Sequence, residues 1–156
     1  MDSKLKTGAA MGIGIVLAMS LITQANGATC DRNYDASLKR AVSSTISAVA
    51  GNNPSALLNL ISPDGVTIGA EGAFVSRADL ASQFAAKTGY YCDIFSCGGK
   101  AGVMRRFFRN GPTDAQLDER NLRATVFINA NTNDELQLSF RYSTQCRWEV
   151  TGIGTL

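Results

Sequence analysis

There is no histidine among the 156 residues. That removes Ser-His-Asp and Cys-His nucleophilic catalysis, and imidazole ligation of a metal, from the chemistry open to this chain. Four cysteines are present: Cys30, Cys92, Cys97 and Cys146. An even number behind an export signal reads as two disulfides rather than as reactive thiolates. One C-x4-C without a second pair is a poor zinc pattern, so no metal and no cofactor are expected. Four cysteines allow three pairings, and sequence alone does not choose among them. Cys92–Cys97 is favoured because the two are close enough to close a short loop, with Cys30–Cys146 tying the N-terminal arm to the sheet.

Carboxylate, tyrosine, lysine and arginine chemistry remains. Asp93 leads, in Tyr90-Tyr91-Cys92-Asp93-Ile94-Phe95. If this segment is extended, Tyr91, Asp93 and Phe95 share one strand face, and an apolar cavity against it would poise the carboxyl as a general acid or base. The competing reading is a wet strand face or an ion pair with an arginine. Glu71 reads as a turn residue, and Asp118-Glu119 and Asp134-Glu135 as solvated loops.

Arg105, Arg106 and Arg109, interleaved with Phe107 and Phe108, form the one basic aromatic patch. Protein interfaces favour these residue types, and arginine also holds anionic groups. The plainer reading is an amphipathic lid helix with its charges in water.

These residues must be positioned by elements legible as periodicities. Leu38, Ala41, Val42, Ile46, Val49 and Ala50 recur at helical spacing, with Asp35 as the cap and Gly51 as the stop, predicting a helix over 35–50. Asn53-Pro54 starts a second helix over 54–61. Val66–Gly69 and Ala73–Val75 read as short hairpin strands, and Ser76 with Asp79 caps a helix over 77–88. Tyr90–Ser96 reads as β-like. Within 97–121, treated as an insertion or lid, Val103 to Arg109 fits a helical period, and Thr113 with Gln116 caps another turn or two. The longest signal is Leu122–Thr151. From Leu136 onward nearly every even position is apolar and every odd one polar, the period of strands with one face buried. Arg141, Arg147 and Glu149 fall on the polar side, as a second docking surface or as ordinary solvent exposure. Helices first and antiparallel strands last make an α+β domain, with helices on one face of a curved antiparallel sheet.

Lys4 and Lys6, the apolar run Ala9–Ile22 and the small residues Ala25-Asn26-Gly27 have the order of a signal peptide over 1–27. The run is too short and glycine-rich for a good spanning helix, so no membrane span is expected after cleavage. Gly27-Ala28-Thr29 before Cys30 lacks the pattern of a lipoprotein signal. One domain, 28–156, would be exported to the periplasm or the exterior. The formal charge is +2, so there is no electrostatic case for nucleic acid.

The stretches S-A-L-L-N-L-I-S-P-D-G-V-T-I-G (55–69), R-A-D-L-A-S-Q-F (77–84) and R-W-E-V-T-G-I (147–153) resemble the nuclear-transport-factor-2-like superfamily. That cone-shaped α+β fold also holds the ketosteroid isomerases. The resemblance covers most of the mature chain and is structural, since no motif aligns with the isomerases' catalytic set. It implies a cone-like sheet and, because members often dimerise through the sheet, a homodimer as an option. Members include enzymes, ligand binders and partner-binding modules, so the fold does not settle function. The leading expectation is a non-enzymatic binding module with a protein partner, as for an inhibitor or an immunity protein. The alternative is a pocket for a small apolar or anionic ligand, or an isomerase- or hydrolase-like site using Asp93 and a tyrosine.

Overall fold

The computed structural model describes Cys30, residues 33–111 and residues 113–155. The expected signal segment and its cleavage site lie outside the described residues. Helix α1, Tyr34–Ala50, is capped by Asn33, whose side-chain oxygen accepts the Ala36 N–H at 3.2 Å. Asp35, the expected cap, lies inside the first turn and pairs with Lys39 at 2.7 Å. Asparagine and aspartate cap equally well, and the one just outside the helix takes the role. Leu38, Val42, Ile46 and Val49 form the buried stripe. Helix α2, Pro54–Leu60, is capped by Asn53, and Ile61 then turns extended to bridge Val150.

Strands β1 (Val66–Ile68) and β2 (Ala73–Val75) form the expected hairpin. Ser76 caps helix α3, Arg77–Ala86, accepting the Asp79 N–H and donating its hydroxyl to the Asp79 carboxylate at 2.6 Å. The helix ends at the left-handed Lys87, earlier than expected.

The next segment corrects the strand expected at 90–96, because Tyr90–Ile94 is a short helix, α4. Tyr91 and Phe95 are four apart, a separation that suits a strand face and a helix face equally. Ile94, buried beside both, belongs only to the helical pattern. Strands β3 (Ser96–Cys97) and β4 (Lys100–Ala101) make a small separate hairpin. The helix expected at 103–109 shrinks to one 3-10 turn, Arg105–Phe107. Met104, Phe107 and Phe108 are buried as the period requires, but Val103 is 71% exposed. Three glycines just upstream leave too little regular chain to nucleate a longer helix.

Thr113 caps no helix. Thr113–Asp118 is strand β5, so the expected insertion or lid supplies an edge of the main sheet. Strands β6 (Arg123–Ile128), β7 (Leu136–Tyr142) and β8 (Trp148–Thr155) complete it in the order β2-β1-β8-β7-β6-β5. The alternation from Leu136 onward is thus two strands joined by a turn over 143–147, not one continuous run. The sheet is mixed rather than wholly antiparallel. The chain crosses through α3, α4 and five strands after β2, and β8 returns beside β1 in the same direction, pairing Thr67 with Gly152 and Ile68 with Ile153.

Both expected disulfides are present, Cys30–Cys146 and Cys92–Cys97. The first lies beside an aromatic cluster. Tyr142 packs edge-on against Tyr34 and Trp148, with ring centroids 5.1 and 5.2 Å away, and the Trp148 indole N–H donates to the Ser37 hydroxyl at 3.0 Å. This cluster joins the start of α1 to the β7–β8 hairpin. The core lies between the helices and one sheet face, where Val126, Leu138, Phe140, Val150 and Ile153 are buried.

Candidate functional site

Asp93 sits on α4, half-buried, with its backbone carbonyl accepting the Met104 N–H at 2.9 Å. Tyr91 and Phe95 are core residues, their ring centroids 5.2 Å apart and both packed edge-on to Phe84. On a helix the aspartate points away from residues two positions either side of it. The three do not converge on a shared cavity.

The arginine patch is largely engaged within the fold. Arg105 donates to the Ser96 hydroxyl at 3.1 Å and to the Ala50 carbonyl at 2.9 Å. A cation there satisfies the carbonyl end of α1. Arg106 lies 4.6 Å over the Phe107 ring and 3.6 Å from Asp134. Phe107 is buried, and Arg109 is exposed.

The open face of the sheet is the extended surface that the described helices leave uncovered. Register places one residue from each strand in a single row across it: Phe74, Thr67, Gly152, Ser139, Thr125 and Gln116. None carries a charge. On one side lies a second row, Glu149, Arg141, Arg123 and Asp118, charged throughout. On the other side Gly154 pairs with Gln137, which pairs with Phe127. Phe127 pairs in turn with Asp114, so the uncharged central row runs between a fully charged row on one side and a mostly uncharged one that ends in an aspartate on the other.

Two hollows lie along it. One of about 390 Å³ is floored by Gly152 and Gly154 between Thr67, Ser139 and Gln137, with Glu135 also in its lining. Its neighbour, about 330 Å³, is bounded by Phe74, Thr125 and Arg141. They share Ser139 and Thr151 and so form one trough. Thr151 is the extra residue of a β-bulge, since Ser139 pairs with Gly152 but Phe140 with Val150. The bulge explains the spacing of the closing motif. Trp148, Val150 and Ile153 all reach the core because one residue is inserted before Ile153.

Glu149 departs from the alternation. It was expected in water with the other odd positions and is 2% exposed. Arg147 reaches its carboxylate at 3.3 Å and Arg141 at 3.8 Å. Arg141 continues to the Ser62 hydroxyl at 2.9 Å and Asp64 at 3.0 Å, while Arg147 donates to the Asn59 carbonyl at 3.3 Å. The loop after α2 is thereby fastened over the carboxylate.

Asp118 closes the β5–β6 turn. The Asn121 side-chain amide donates to it at 2.7 Å, the backbone N–H groups of Asn121 and Arg120 add to that, and Arg123 lies nearby. These hold its carboxyl below the ordinary aspartate value. A depressed folded-state pKa contributes stability that is present above the unfolded value and lost as pH falls through the folded one. Asp118 should therefore stay ionised to a lower pH than an ordinary aspartate, and Asn121→Ala should move its titration upward. Side-chain carboxyl shifts followed by NMR would check this, and a titration unmoved by Asn121→Ala would refute the cause.

A third hollow, about 310 Å³, runs between α1 and the β5–β6 edge, where Leu38, Val42, Ile46 and Val126 give it apolar walls. Asp35 and Lys39 at its rim are paired with each other. Among the described residues no helix is long and apolar enough to cross a membrane, and no group of three or more side chains could hold a metal ion.

The trough was missed in the sequence, although two signals pointed to it. Glycines at 152 and 154 interrupt a strand, which marks a bulge or a close approach. Phe74 leaves 66% of its surface exposed on a short edge strand.

The architecture defines an α+β class, with helices on one face of a curved mixed sheet closed by two disulfides. The chain is similar to the crystal structure of an NTF-2-like protein of unknown function from Shewanella oneidensis MR-1, at 14% identity, over 77% of this chain and 96% of that one, with a TM-score of 0.41. That likeness is weak. No protein-family model and no curated protein matches the chain.

Proposed function

We propose that this is an exported, non-enzymatic binding module that holds its ligand on the open face of the sheet. The observation that carries the reading is the uncharged row with its glycine-floored trough, left uncovered on a domain whose other sheet face is packed. Two disulfides support a protein that folds in an oxidising compartment outside the cytoplasm. The catalytic alternative loses its support with the strand at 90–96, because Asp93 no longer shares a face with Tyr91 and Phe95. The protein-partner expectation loses much of its own, since Phe107 is buried and Arg105 is engaged within the fold. One observation favours a second reading. The apolar walls of the α1 groove suit a small hydrophobic ligand, held without Asp93.

The test immobilises the oxidised protein beside Ser139→Arg and Asp93→Asn and compares what each retains from the source's extracellular fluid. Material bound by the wild type should be lost from Ser139→Arg, which plugs the trough, and kept by Asp93→Asn. Retention indifferent to Ser139, or abolished by Asp93→Asn, defeats the reading.

A further inference from the structure

We propose that the trough binds a neutral glycan, lying across the strands along the uncharged row; this rests on the reading of the open face as the binding surface. The argument begins with charge. The row from Phe74 to Gln116 carries none. Beside it Arg141 is matched by Asp64 and Glu149, and Arg123 stands in register with Asp118. The row itself offers a phosphate, a carboxylate or a cationic peptide no counter-charge; the charged side chains that line the trough, Glu135 in one hollow and Asp64, Arg123 and Arg141 in the other, lie off the row. What the row does offer is hydroxyls and an amide, groups that both donate and accept hydrogen bonds. Sugar hydroxyls have the same dual character, which makes the two surfaces complementary without ions.

The aromatic residues fit the same ligand. A pyranose ring presents apolar C–H faces as well as hydroxyl edges. Phe74 at the end of the row is 66% exposed, and Phe127 lies on the same face, partly exposed, beside Gln137. An exposed ring next to a polar trough can stack against a sugar while the hydroxyls are met by Thr67, Ser139 and Thr125.

The shape is built for an occupant. Glycines in a strand interior cost stability relative to alanine, because they give up more backbone freedom on folding. At Gly154 the fold does not require one, for a Cβ there would meet Gln137 at 3.7 and 3.8 Å, which is ordinary contact. A side chain at that site would project into the trough and fill it. With strands spaced at about 4.8 Å, the row spans about 24 Å across the sheet, room for several sugar rings.

The face suits other macromolecules less well. An extended peptide is recognised through unpaired backbone at a sheet edge, and the centre of this face has none. A protein partner would be anchored by tryptophan, tyrosine or arginine, whereas serine and threonine, which occupy the middle of this row, are poorly represented among residues that carry interface energy.

The test titrates the isotope-labelled, oxidised protein with neutral hexasaccharides of four linkage types: β-1,4-glucose, β-1,4-N-acetylglucosamine, α-1,4-glucose and β-1,3-glucose. An uncharged peptide of similar length runs in parallel. At least one saccharide should give saturable amide shifts at Thr67, Ser139, Gly152 and Gly154. Gly154→Val should weaken binding at least tenfold while melting no lower than the wild type. Phe74→Ala should weaken it roughly fivefold to tenfold. If none of the four saccharides shifts these amides, the glycan assignment is overturned. Shifts with the peptide alone would overturn it too, while leaving the face as a binding surface. Shifts that follow protein concentration instead would assign the face to a second copy and overturn both.

Discussion

Cys30→Ala combined with Cys146→Ala is expected to lower the unfolding free energy by about 5 kcal/mol, and Cys92→Ala with Cys97→Ala by only about 2 kcal/mol. The difference follows from the chain each bridge closes. Cys30–Cys146 spans 116 residues and Cys92–Cys97 only 5. A cross-link restricts the unfolded chain in proportion to the logarithm of its loop, so the long bridge removes far more unfolded-state entropy. Against a total stability of about 5–15 kcal/mol for an ordinary domain, losing the long bridge is serious. It also releases the arm leading into α1, and with it the docking of Tyr34 on Tyr142 and Trp148. Urea unfolding of the oxidised wild type and both double variants measures the two losses. Equal losses would show that loop closure is not what gives the long bridge its worth.

The second large effect lies at Glu149. Arg141→Ala with Arg147→Ala should cost about 3–5 kcal/mol, because it leaves a buried carboxylate without a counter-charge. Each arginine alone should cost much less. The two are 41% and 46% exposed at the side chain, and the one that remains still contacts the carboxylate. The losses should therefore be strongly non-additive. Adding Glu149→Leu to the double variant should recover most of the stability, since an apolar side chain of similar size has no charge to compensate. The full cycle can be read by urea unfolding. Additive arginine losses with no rescue by Glu149→Leu would mean that Glu149 is not the centre of the network.

The reach of sequence reasoning can be judged from particular residues. Asp93 was singled out because an extended Tyr90–Ser96 would align it with Tyr91 and Phe95. The same spacing belongs to a helix, and the choice was made by packing on Phe84 and by the Cys92–Cys97 tie, neither of which a local window contains. Phe107 and Arg105 looked like surface anchors for the same reason. Type and spacing show what a side chain could do, while the end of α1, far away in sequence, decided that Arg105 would be engaged internally. The trough was even less legible. Its row takes residues from strands separated by up to 85 positions in the chain, Thr67 facing Gly152, and no local periodicity encodes which strands become neighbours.

By itself the sequence determined whatever rests on short-range physics. Helices α1, α2 and α3, the cap at Ser76, the β1–β2 hairpin and the alternation through β7 and β8 follow from side-chain periodicity and from backbone groups that must be satisfied nearby. The absence of histidine limited the chemistry before any fold was known. Tertiary structure alone decided that β5 joins the sheet, that β8 lies parallel to β1, that Glu149 is buried between two arginines, and that an uncharged row runs beside a charged one. Each of these depends on which distant segments meet, and that is settled by the burial of the whole core and not by any residue's own preference.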